Sequence, residues 1–99
     1  MTITKNHDGD RLTVALEGRL DTSTSPQLEA ELRTSVNGVT ELVIDLEKLD
    51  YVSSAGLRVL LAAQKVMNRQ GGMKVTNVKP EIMEIFEVTG FVDILKIEN

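Results

Sequence analysis

Between residues 42 and 46 the chain reads Leu-Val-Ile-Asp-Leu, apolar at nearly every position and rich in β-branched side chains. A strand that is apolar on both parities reads as one covered on both faces, as in the interior of a parallel sheet. Parallel neighbours need long crossover connections, usually helices, and the flanks supply them. Upstream, Ser25 is expected to cap a helix with Pro26 at its first position, where a missing N–H costs nothing. Leu28, Leu32 and Val36 then recur at helical spacing until Asn37-Gly38 stops the helix. Downstream, an acidic turn and the pair Ser53-Ser54 lead into a helix that runs to about Gln70 and ends at Gly71-Gly72.

The remaining segments extend this alternation. Thr2 to Lys5 is a short β-favouring piece, and His7-Asp8-Gly9-Asp10 reads as a hairpin turn. Arg11 to Glu17 alternates with Leu12, Val14 and Leu16 on one side, a half-buried strand, and Gly18 to Pro26 reads as a polar loop. Met73 to Asn77 is the next strand. Pro80 opens a helix with Ile82, Met83, Ile85 and Phe86 as its apolar side, Gly90 closes it, and Ile94 to Ile97 is expected as a last short strand. The order β-β-α-β-α-β-α-β predicts one α/β domain over residues 1–99. Its four- to five-stranded mixed sheet carries about three helices, mainly on one face, and leaves the other face partly bare.

Composition removes several functions. The chain has no cysteine, which excludes disulfides, thiolate catalysis and zinc ribbons and fits a cytoplasmic location. A net charge of −4 without a Lys/Arg cluster, and only 3% aromatic residues, argue against nucleic acid as a partner. No secretory signal is visible at the N-terminus, and the longest apolar run, Val59 to Ala63, is too short to span a bilayer.

The serine pair is the chemically interesting feature. A serine nucleophile needs a base, and the sole histidine, His7, falls in the expected hairpin turn. The G-x-S-x-G elbow is missing, as are the phosphate-binding patterns G-x-x-x-x-G-K-[ST] and G-x-G-x-x-G. With one His and no Cys, no metal site and no cofactor is expected. One of the two serines should act as an N-cap. On a helical wheel Val59, Leu60, Ala63, Val66 and Met67 form a core stripe, with Leu57 and Leu61 on its flank. Those two leucines either pack on a neighbouring helix or present an apolar patch beside the serines.

Three stretches carry a resemblance to a known family: Leu16 to Asp21, Leu42 to Leu46, and Ser53-Ser54-Ala55-Gly56-Leu57 opening a long helix. Over nearly all its length the chain resembles the STAS domain, most closely the stand-alone bacterial anti-sigma factor antagonists. The resemblance implies a non-enzymatic regulator that binds an anti-sigma factor and frees a sigma factor. That anti-sigma factor would be a serine kinase of the histidine-kinase-like ATPase class. It would inactivate the antagonist by phosphorylating a serine, which falls here on Ser54, and a PP2C-type phosphatase would restore it. Ser53 stands where the family pattern carries an acidic residue and is the alternative acceptor. The implied partner surface comprises Asp21, Thr22, Ser23, Thr24, Ser53, Ser54, Ala55, Gly56, Leu57, Arg58 and Leu61. A second implied role is a STAS accessory subunit of an ABC-type lipid transport complex, docking on an ATPase without phosphorylation.

Overall fold

A computed structural model describes all residues from Met1 to Asn99. Strand β1 (Thr2–Asp8) turns through Gly9-Asp10 into β2 (Arg11–Leu20). Helix α1 (Ser25–Ser35), β3 (Glu41–Val52), α2 (Ser54–Gln70), β4 (Gly72–Thr76) and α3 (Pro80–Thr89) follow. A 3₁₀ turn (Phe91–Asp93) and β5 (Ile97–Glu98) complete the chain. The sheet has five strands in the order β1-β2-β3-β4-β5; β1 is antiparallel to β2 and the rest are parallel. Each crossover adds the next strand on the same side. Right-handed connections therefore place all three helices on one face.

The core lies between that face and the helices. Leu12, Val14 and Leu16 of β2 and Leu42, Ile44 and Leu46 of β3 are buried there with Leu28, Leu60, Met67, Ile82 and Phe86. The opposite face carries no helix. Asp45 is half-buried on it, and Val43, although on it, is only 4% exposed, flanked across the ladder by Thr13 and Lys74. Coverage of the Leu42–Leu46 run on both faces is thus replaced by one helical layer and, at Val43, neighbouring strands.

Strands β2 and β3 both outrun their apolar alternation. Their pairing shifts twice, from Ala15–Asp45 to Glu17–Lys48 and from Gly18–Leu49 to Arg19–Tyr51, so β3 carries an extra residue at each step. Such bulges re-aim the side chains that follow. As a result the buried positions at the end of β3 are Leu46, Leu49 and Val52, three apart instead of two. The expected polar loop at Gly18–Leu20 and acidic turn before Ser53 are therefore strand, and Gly18 takes φ +105° at the shift. His7 likewise belongs to β1, opposite Leu12, and not to the turn. At the C-terminus the expected Ile94–Ile97 strand shrinks to Ile97–Glu98, because the chain after Gly90 first winds into the 3₁₀ turn.

Candidate functional site

Because β2 and β3 are adjacent and parallel, the loops that follow them emerge side by side at one edge of the sheet. Leu20 and Val52 pair as the last residues of the two strands, and the Ser53 N–H donates to the Leu20 carbonyl at 2.9 Å. The segment Asp21–Thr24 and the serine pair are thereby joined directly.

Asp21 shapes the first loop. One of its carboxylate oxygens accepts from the Ser23 hydroxyl (2.8 Å) and from the backbone N–H groups of Ser23 (3.0 Å) and Thr24 (3.1 Å). Such an Asx turn is a local substitute for backbone pairing. The Ser23 hydroxyl is the chief reason the Asp21 carboxyl is held below the usual carboxylate range, with the Thr24 and Ser23 amides adding to it and burial opposing. Thr24 Oγ1 accepts from the Asp21 N–H (2.9 Å) and donates to the Arg19 carbonyl (2.7 Å). Thr22 and Ser23 are exposed at the tip. The expected cap moves: Thr24 holds the cap position of α1 without a side-chain cap bond, and Ser25 is already helical. Its buried hydroxyl donates back to the Asp21 carbonyl, which the Ser25 N–H also reaches.

The second loop is a single residue. Ser53 is extended (φ −94°, ψ 175°), and its Oγ accepts from the Gly56 N–H at 3.3 Å, so Ser53 is the N-cap of α2. Ser54, the first helical residue, is exposed, and its hydroxyl has no hydrogen bond within the protein. Two residues later the helix presses on the strand ends. A Cβ on Gly56 would stand 2.7 Å from Leu20 Cγ and 2.9 Å from Val52 Cγ2, so only glycine permits this approach.

That close seat alters the expected surface. Gly56 and Leu57 are buried, Leu57 within the main core, so they seat the helix and present no docking surface in this state. Leu61 is half-buried, Ala55 half-buried and Arg58 exposed. Conversely Val66, assigned to the core stripe, is 39% exposed. It lies on a shallow groove between α1 and α2 with Leu32, Val36 and Ala62, where the shorter α1 leaves it uncovered. A cleft at the start of the same helix pair is lined by Thr22, Ser25, Glu29, Ala55 and Arg58.

Two side chains that the sequence reading left out sit at this edge on the helix-free face. Arg19 and Tyr51 face each other across β2 and β3, with the guanidinium carbon 4.3 Å from the ring centroid. Arg19 also lies 3.7 Å from Asp21. Their alternation with Leu20 and Val52 is the signal that could have found them, once the strands are known to reach that far.

The sole histidine and the serine pair stand at opposite ends of the strands. His7 pairs with Leu12 near the start of β2, whereas Ser53 follows the end of β3 beside Leu20. Eight residues of strand separate the two ends, roughly 26 Å. No group of three or more His, Asp or Glu side chains gathers that could hold a metal ion. No helix is long and apolar enough to cross a membrane.

A family model described as "Mlab, STAS domain" matches residues 3–96. The chain belongs to the STAS domain family. BtrV of Bordetella bronchiseptica, whose assignment as an anti-sigma factor antagonist is provisional, is 40% identical over 101 residues, covering 100% of this chain and 87% of that protein. An anti-sigma factor antagonist from Mycobacterium paratuberculosis superposes with a TM-score of 0.88 at 25% identity, over 97% of this chain and 83% of the other. The phosphorylated form of SpoIIAA, a Bacillus cell fate determinant, shares the fold at a TM-score of 0.76 and 19% identity, over 99% and 92% of the two chains. This STAS chain thus has the architecture of proteins named as antagonists, with its serine pair at the joined edge of β2 and β3.

Proposed function

We propose that this STAS protein is an anti-sigma factor antagonist whose docking face is the edge formed by Asp21–Thr24 and the start of α2. Its partner is an anti-sigma factor of the serine-kinase, histidine-kinase-like ATPase class, met in the cytoplasm. The exposed contacts are Thr22, Ser23, Ser54, Arg58 and the accessible parts of Ala55 and Leu61, with Asp21, Thr24, Ser53, Gly56 and Leu57 holding them in place. The protein works by binding and catalyses nothing itself.

Ser54 is the switch. The observation that carries this reading is the contrast between the serines: Ser53 Oγ is engaged by the Gly56 N–H, whereas Ser54 Oγ is exposed and free. In the modification, Ser54 Oγ forms a bond to the γ-phosphorus of ATP held by the kinase. The bond from that phosphorus to the bridging oxygen breaks, ADP leaves and the hydroxyl proton is released. The product carries about −1.5 to −2 charges at neutral pH, which burdens an interface through desolvation and repulsion. A PP2C-type phosphatase reverses the change by hydrolysis to the hydroxyl and inorganic phosphate. Phosphopeptide mapping of the protein from its native cells across growth phases tests this. Phosphate that comes and goes on Ser54 is expected, and its absence in every condition would remove the switch.

Membership of the STAS domain family is also compatible with a second reading. As an accessory subunit of an ABC-type lipid transport complex, the protein would dock the same edge on an ATPase with Ser54 unmodified. Co-purification with an ABC ATPase, without phosphate on either serine, would establish that role instead.

A further inference from the structure

The basic residue nearest to Ser54 along α2 is Arg58, one turn on. Positions i and i+4 on a helix are neighbours, with Cβ atoms about 5–6 Å apart, and an anion placed N-terminal to a cation is the favourable order. Both side chains are exposed. The ion pairs of the protein engage Lys5, Arg11, Arg19, Arg33, Lys74, Lys79 and Lys96 and leave Arg58 without a carboxylate. Of the other unpaired cations, Lys48 lies in β3, and Lys65 and Arg69 lie two or more turns further along α2. The acidic group across the cleft from Arg58 is Glu29 on α1, already held by Arg33 at 3.4 Å. Arg19 is stacked on Tyr51 on the far face of the sheet.

We propose that Arg58 is the built-in counter-ion for a phosphate on Ser54, and that forming this pair withdraws Arg58 from the docking face. The inference rests on the switch reading above and deepens it. A guanidinium presents parallel N–H donors that match two phosphate oxygens, a stronger contact than one between neutral groups. Modification then changes the face twice, adding an anion and sequestering the free cation. The pairing also discriminates between the serines. One turn after Ser53 comes Leu57, which is buried and apolar, so a phosphate on Ser53 has no cation at the corresponding place.

The test needs no kinase. Phosphoserine is inserted at position 54 during translation of the full chain, and its second ionisation is followed by phosphorus NMR against pH, with and without Arg58→Gln. With Arg58 present the midpoint should lie about 0.2–0.4 pH unit lower than in R58Q, and Arg58→Lys should recover part of the difference. Phosphoserine at position 53 should titrate identically with either residue at 58. Equal midpoints at position 54, or an equal shift at position 53, would overturn the pairing. Missing phosphate in cells would instead end the switch reading and leave this titration standing.

Discussion

Gly56 approaches Leu20 so closely that a Cβ on the glycine would sit 2.7 Å from the Leu20 Cγ. This contact sets how deeply the start of α2 sinks onto β2 and β3, and therefore how Ser54 stands relative to Asp21–Thr24. Leu20 is fully buried and has little room to yield. Gly56→Ala should therefore destabilise the fold by about 1–3 kcal/mol through overpacking. In a domain of this size each kcal/mol lowers Tm by about 4–8 °C, which thermal denaturation followed by circular dichroism would register. An unchanged Tm would mean that the helix seats less tightly than described.

The two serines should separate cleanly in a stability measurement. Ser53→Ala removes the N-cap of α2 and should cost about 1 kcal/mol in urea unfolding. Ser54→Ala touches no hydrogen bond and should fall within about 0.5 kcal/mol of the parent. Equal losses would show that the cap is shared.

Binding should report the reverse ranking. Ser54→Asp introduces part of a phosphate's charge on the exposed face and should weaken binding to the cognate anti-sigma factor at least about tenfold, or ~1.4 kcal/mol. Isothermal titration with a refolding check would measure it. Affinity equal to that of the parent would remove Ser54 from the interface.

Acid should loosen the Asp21 loop. The Asp21 carboxyl is held below its ordinary value of 3.8, chiefly by the Ser23 hydroxyl. A carboxylate with a lowered folded pKa contributes stability that is present above the unfolded value and lost as pH falls through the folded one. The protection of the Ser23 and Thr24 amides, relative to their intrinsic exchange rates at each pH, should therefore fall only below about pH 4. Asp21→Asn should abolish that acid dependence. A carboxyl carbon resonance of Asp21 titrating at or above 3.8 would contradict the turn.

The element order and the serine cap were legible because local chemistry announces them. Alternation at Leu12, Val14 and Leu16 marks β2, Pro80 and Gly90 bracket α3, and Ser53-Ser54 marks the start of α2. The outer halves of β2 and β3 were not, since two bulges turn a spacing of two into one of three, and Leu46, Leu49 and Val52 then look like anything but a strand. That concealed the partnership of Arg19 with Tyr51. The choice between a packed and an open Leu57 was not legible for a different reason. A helical wheel assumes one buried stripe along the whole helix, whereas Gly56 lets the first turn of α2 sink until its flank is covered too. The loop expected over Gly18 to Pro26 shortens to Asp21–Thr24, and the cap position passes from Ser25 to Thr24 because the Ser25 hydroxyl and N–H both turn back to the Asp21 carbonyl.

The strands stand in the sheet in the order in which they occur in the chain. None therefore waits for a partner synthesised later than its own successor, and pairing can keep pace with the chain as it leaves the ribosome. Residues 11 to 61 contain both loops, their two strands and the first half of α2. The surface that a partner would meet is accordingly encoded ahead of β4, α3 and β5, which complete the sheet and close the core behind it.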